Sequence, residues 1–235
     1  MEEAIIIEKS IIIVAVFAIT MLFAMYCTLA ERKIAAWIQD RRGPNRAGPG
    51  GVFQPLADGL KLFAKEEFMP NTPNTFLFVL GPFISMTMAL MTSAVIPWGK
   101  TLEIGGRKVI LQAADINVAM LYVFAVLSVS VYGIMIGGWA SNNKYSLISA
   151  MRVASQMISY EIAMGLSIVA ILMMHSSMSL SDIAAGQHEM HWNIFYQPLG
   201  FFIFLICSFA ETNRTPFDLA ECEQELIGGY HTEYS

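Results

Sequence analysis

Apolar residues run in long blocks along this chain, and polar residues gather between the blocks. Five blocks approach or exceed the ~20 residues that a helix needs to cross the hydrocarbon core of a bilayer. They occupy residues 10–30, 76–97, 116–139, 156–174 and 194–210. An open sheet cannot satisfy its edges in lipid, so blocks of this length predict helices. The expected fold class is therefore an all-α polytopic membrane protein, one membrane domain over residues 1–235 with five transmembrane helices. The leader MEEAIIIEK is acidic and no small-residue cleavage site follows the first block, which predicts a retained helix rather than a secretory signal.

Two connections carry patterns of their own. In VFQPLADGLKLFAKEEF, Phe53, Leu56, Leu60 and Phe63 recur at steps of three and four, while Asp58, Lys61 and Lys65 fall elsewhere on the wheel. This predicts a cytoplasmic amphipathic helix lying at the membrane surface. KTLEIGGRKVIL places two β-prone runs around Gly105-Gly106, which predicts a small external β-hairpin. With five spans, ten Lys and Arg fall on one set of loops and four on the other. Basic residues favour the cytoplasmic side, so the loops at 31–75, 140–155 and 211–235 are expected inside and the N-terminus outside.

Composition narrows the chemistry. Only 14% of the 235 residues are charged and 55% are hydrophobic, against about 25% charged in an average soluble domain. Cys27, Cys207 and Cys222 are isolated, so neither an iron–sulfur cluster nor a zinc site is encoded. No glycine-rich phosphate loop is present, and no nucleic-acid partner is expected. His175, His188, His191 and His231 lack metal-ligand spacing, and the many Met and Phe read as packing and lipid-facing residues. Any redox cofactor must belong to a partner.

Against that background two acids stand out. Glu161 lies inside SQMISYEIAMGLSIVAILMM and Glu211 closes the fifth block. A charge at the bilayer centre costs about 2.5–3.5 kcal/mol even on lenient scales, so an intramembrane acid is a proton site, an ion site or half of a buried pair. Counted from Gln156, Glu161 is expected roughly 8 Å inside the membrane. Glu211 arrives at a similar depth on the next, antiparallel helix, and the two suit a proton relay. The run TNRTPFDLAECEQELIGGYHTEYS follows. On composition alone it reads as a solvated loop; its position directly beyond Glu211, with Arg32, Arg41, Arg42, Arg46, Lys61 and Lys65 on the same face, also suits the lining of a polar chamber at the end of the relay.

Two stretches, GVFQPLADGLKLFAKE at 51–66 and PFDLAECEQELIGG at 216–229, resemble signatures of the NADH-quinone oxidoreductase H-subunit family, whose mitochondrial member is called subunit 1. ERKIAAWIQDRRGPNRAGP, GWASNNKYSLISAMRVASQMISYEIAMG and FAETNRTPFDL extend the resemblance over nearly the whole chain. It implies a membrane subunit of respiratory complex I that forms part of the quinone chamber and couples quinone reduction to proton translocation. Carried over by the resemblance, Arg32, Asp58, Lys61, Glu221, Glu223 and Glu225 belong to the chamber, and Glu161 and Glu211 to the proton relay. Quinone is then the substrate, nothing is bound covalently, and flavin and iron–sulfur clusters are expected on partner subunits. The implied setting is an energy-coupling membrane, the bacterial inner membrane, with lipid and other membrane and peripheral subunits as partners. Three further C-terminal helices are usual in the family, and the chain is expected to lack them. Some members also carry an acid in the third helix, where LYVFAVLSVSVYGIMIGGW has none. The equivalent subunit of a membrane-bound hydrogenase, or of another oxidoreductase, fits the same residues, as does a free-standing proton-coupled transporter.

Overall fold

A computed structural model of the chain describes residues 2–66, 68–70, 74–99, 101–104, 107–188, 191–214, 216–218 and 228–234. The chain divides into two compact units, Met1–Glu67 and Phe68–Ser235.

The first unit is a long helix, α1 (Glu2–Ile38), a glycine-rich turn and a short helix, α2 (Gln54–Phe63). Lys9–Ile38 is apolar enough to cross a membrane. α1 stops where Asp40 enters the left-handed region (φ 50°) and Arg41 N–H closes back on the Ala36 carbonyl at 2.8 Å. The chain then turns tightly through Pro49–Gly51. Gly51 sits at φ +81°, and a Cβ there would collide with the Pro44 carbonyl, so the turn requires glycine. α2 leaves Phe53, Leu56, Leu60 and Phe63 exposed. Such an uncovered apolar stripe suits a helix lying at a membrane surface.

The second unit holds α3 (Thr75–Thr92), α4 (Ala119–Ala140), α5 (Lys144–His175), the short α6 (Leu180–Ala185) and α7 (Asn193–Tyr196), and α8 (Pro198–Glu211). Asn74 caps α3 by accepting from Leu77 N–H, and Asn143 caps α5 by accepting from Tyr145 N–H. α3 and α4 approach through glycines. A Cβ on Gly81 would stand 2.9 Å from both the Gly133 carbonyl and the Gly137 Cα, and Gly133 and Gly137 are spaced as a small-xxx-small face. α4 and α8 both pack on α5, and Val131, Val153, Ala154 and Met157 form a buried core cluster. Phe23, Val79, Leu121 and Leu166, one on each long helix, stay exposed as lipid-facing residues do.

The structure corrects the expected fold class. Four helices are long and apolar enough to span: Lys9–Ile38, the helical stretch Thr75–Val95, Ala119–Ala140 and Lys144–His175. The fifth block, 194–210, is broken. Gln197 leaves helical geometry at φ −131° and ψ 58°, and Pro198 starts a new helix of 14 residues. The proline ring removes an N–H and pushes its predecessor out of the helical region. At 1.5 Å per residue α8 is about 21 Å long, short of the ~30 Å hydrocarbon core. Between α3 and α4 three-residue strands, β1 (Leu102–Ile104) and β2 (Arg107–Val109), pair antiparallel with Glu103 opposite Lys108. Gly105 and Gly106 lie outside the described residues. So small a ladder forms no layer, and the architecture is a helical membrane fold with four spanning helices rather than five.

A second boundary also moves. α5 begins at Lys144, not Gln156, because the polar stretch that hydropathy assigns to a loop is helical and capped by Asn143. Its 32 residues make about 48 Å of helix, so one end projects past the hydrocarbon core.

Candidate functional site

In the first unit the last turns of α1 face α2 across a charged contact. Arg32 Nη1 donates to Asp58 Oδ2 at 2.6 Å, and Gln54 Nε2, one turn earlier on α2, donates to Asp58 Oδ1 at 2.9 Å. Both carboxylate oxygens are thus held. The Gln54 and Arg32 hydrogen bonds, with the nearby charges of Arg32 and Lys61, keep the Asp58 carboxyl below the usual range. Lys61 lies three residues beyond Asp58, its neighbour on the helix surface. Lys33 Nζ donates to the Gly50 carbonyl and ties the glycine turn to α1. The pair remains solvent-accessible, at 54% for Arg32 and 35% for Asp58. It anchors the geometry of the α1–α2 contact.

In the second unit Glu161 and Glu211 come together. Glu161 sits midway along α5, partly buried, and receives the Ser128 hydroxyl of α4 at Oε1. Glu211 closes α8, within electrostatic reach of Glu161. Its Oε2 is buried and has no hydrogen-bond partner among the described residues. Gln156 fixes the approach of the two helices: Nε2 donates to the Phe217 carbonyl at 2.9 Å and lies 3.5 Å from the Ala210 carbonyl. Two carboxyls at close quarters in an apolar setting disfavour double ionisation, through desolvation and like-charge repulsion, which is the condition for passing a proton between them.

The chain after α8 returns to the N-terminal end of α5. Ser146 Oγ donates to the Tyr230 carbonyl at 2.7 Å and Asn143 Nδ2 to Glu233 Oε1 at 2.8 Å. Tyr234 completes the attachment. Pro82 has no N–H for the Phe78 carbonyl four residues earlier, and the Tyr234 hydroxyl supplies the missing donor at 2.9 Å. Its ring stacks on Phe78 with centroids 4.1 Å apart, and burial pushes its phenol pKa up. Beside this contact lies an almost wholly apolar cavity of about 520 Å³, lined by Gly81, Pro82, Ser85, Gly137, Tyr230 and Tyr234 among others. Neither Glu161 nor Glu211 is among the described residues that line it.

Of those eight, the structure joins Arg32 to Asp58, with Lys61 adjacent, and Glu161 to Glu211. Glu221, Glu223 and Glu225 lie outside the described residues. Sequence reasoning missed Ser128, Gln156 and Tyr234. Ser128 and Gln156 carried a signal, since a polar side chain within or at the edge of an apolar span normally has a partner on a neighbouring helix. Pro82 announced an orphan carbonyl, but nothing local named Tyr234 as its donor. Among the described residues no cluster of three or more His, Cys, Asp or Glu could hold a metal ion.

Comparison with known proteins bears on what these sites serve. A family described as NADH dehydrogenase matches residues 11–235. The chain is 72% identical over 235 residues to the H subunit of NADH-quinone oxidoreductase from Flavobacterium johnsoniae, covering all of this chain and 67% of that protein. The protein of the same name from Flavobacterium psychrophilum is also 72% identical, with 68% of its length covered. That of Leptospira biflexa is 52% identical over 244 aligned positions, again with all of this chain and 68% of the relative covered.

Proposed function

The chain belongs to the NADH dehydrogenase family that includes the H subunit of NADH-quinone oxidoreductase, and on that premise we propose that its two polar sites divide the work of quinone reduction and proton transfer. The chain is a multi-pass membrane subunit of that enzyme complex, has the complex's other subunits as partners, and is not a complete enzyme alone. In our reading Glu161 and Glu211 form the proton relay. Arg32, Asp58 and Lys61, with Glu221, Glu223 and Glu225, shape the chamber for the quinone headgroup, whose apolar tail enters from lipid. Flavin and iron–sulfur clusters sit on peripheral partner subunits, and the membrane is the bacterial inner membrane. Seven Lys and Arg within residues 31–75, two of them in the last turns of α1, favour that connection on the cytoplasmic side.

The observation that carries the relay is the buried Oε2 of Glu211, without a hydrogen-bond partner among the described residues, beside Glu161. A carboxylate left without a donor in an apolar setting is costly, whereas the protonated form is far cheaper to bury. Glutamine keeps the size of glutamate and cannot titrate. In assembled complex, Glu161→Gln should lower quinone-reductase turnover at least tenfold, and proton translocation should fall with it. Wild-type rates in that variant would leave Glu161 a structural residue. For the chamber, Lys61→Met should impair quinone reduction while sparing electron transfer to an artificial acceptor that draws electrons upstream. Equal loss of both activities would mean failed assembly instead.

A further inference from the structure

One hydroxyl between the long helices has two acceptors and a single proton. Ser128 Oγ lies 2.9 Å from the Phe124 carbonyl, four residues earlier on α4, and also meets Glu161 Oε1 across the α4–α5 interface. A serine hydroxyl donates once and accepts through its lone pairs, so it cannot donate to both. The two contacts are reconciled by the charge state of Glu161. An ionised carboxylate only accepts, and Ser128 turns its O–H toward it. A protonated Glu161 donates its own O–H to Ser128 Oγ, and Ser128 turns its proton to the Phe124 carbonyl. Ser128 keeps its proton in both states, and the change is one rotation about the Cβ–Oγ bond.

We infer that Ser128 is a positioning residue that keeps both charge states of Glu161 hydrogen-bonded, so that the acid can load and release a proton without moving a helix. α4, from Ala119 to Ala140, holds no carboxyl group of its own, and this hydroxyl is its link to the acid on α5. The inference rests on reading Glu161 as a group that titrates. Among the described residues, Glu211 of α8 is the ionisable group that acts electrostatically with Glu161, and Cys207, one turn earlier on α8, lies within electrostatic reach of Glu211. The 3₁₀ turn Gly229–His231, with His231, meets α5 near Ser146, and α6, with Asp182, follows its far end at His175. Each lies about 20 Å of helix away from Glu161.

Removing the hydroxyl takes a donor from the carboxylate and an acceptor from the acid. The charge-assisted bond is roughly twice as strong, so the ionised form loses more and Glu161 should hold its proton more tightly. The test uses intact complex and infrared difference spectroscopy, with the Glu161 carboxylic C=O band assigned by its disappearance in Glu161→Gln. In Ser128→Ala the band should shift in frequency and its midpoint should rise by about one pH unit, a tenfold gain in proton affinity. Ser128→Thr, which restores a hydroxyl, should return both toward wild type. An unchanged frequency and midpoint in Ser128→Ala would overturn the inference, even where Glu161→Gln stops proton translocation. A shifted band in an enzyme whose Glu161→Gln variant still translocates would support it while removing the relay.

Discussion

Asp58 and Glu211 are both carboxyl groups at helix positions in the same chain, and their surroundings are opposite. Asp58 has a donor on each oxygen, Arg32 on one and Gln54 on the other, and water reaches the pair. Glu211 has a buried oxygen with no donor among the described residues and a second carboxyl nearby. The first arrangement keeps its charges, and so its geometry, at pH above the ordinary carboxylate range. The second makes the charge itself the variable, because ionising either acid changes what the other costs. An anchoring site holds its charge with a donor on each oxygen, whereas an acid proposed to carry protons must keep both of its charge states within reach.

The contrast extends to the frames that hold the two carboxyls, and the largest expected effect tests it there. The α3–α4 contact that supports the second unit is backbone against backbone at Gly81, with neighbours that no rotamer change can move. Gly81→Ala should cost about 3 kcal/mol, read as a lowered thermal midpoint in detergent. An unchanged midpoint would mean that the helices sit farther apart than the structure places them. Next in size is Glu211→Gln, which exchanges a buried group that resists ionisation for an amide and should stabilise the protein by about 1 kcal/mol while abolishing its function. Destabilisation by that change would show that Glu211 has a structural partner.

The smallest effect belongs to Asp58. Its folded pKa is lowered, so its contribution is fully present above the unfolded value of about 3.9 and fades only as pH falls through the lowered folded value. Stability between pH 5 and 8 should therefore not depend on the titration of Asp58. A carbon-13 titration of labelled aspartate should place its midpoint below about 3.9, near which free aspartate titrates. Gln54→Leu should raise the midpoint, since that hydrogen bond is the largest cause of its depression. A midpoint at or above the ordinary value would dissolve the contrast with Glu211.

Much of this was legible in the order of residues. The apolar blocks marked α1, α3, α4 and the second half of α5, because helix length against bilayer thickness is a local property. The two acids were legible as well, since a charge inside an apolar block is conspicuous. Two boundaries were not. Hydropathy averaged across Pro198 and joined α7 to α8, although the Gln197-Pro198 step was a visible breaker. It also discounted Lys144 to Ser155, where the cap at Asn143 was the better signal. Ser128 meeting Glu161, and Tyr234 meeting Phe78 over 156 residues of chain, depend on how helices rotate against one another. That rotation is set by glycine contacts such as Gly81 on Gly133, which no single segment encodes.

The central claim, that the Glu161 and Glu211 pair carries the proton and the Asp58 site does not, has one direct measurement. Sealed vesicles containing assembled complex with Glu211→Gln, and separately with Asp58→Asn, are driven by NADH, and protons moved are counted against quinone reduced. We expect the Asp58→Asn complex to reduce quinone more slowly with an unchanged proton count per quinone. The Glu211→Gln complex should lose proton movement, with turnover stalled alongside it. A Glu211→Gln complex that moves protons at the wild-type rate and ratio would contradict the account.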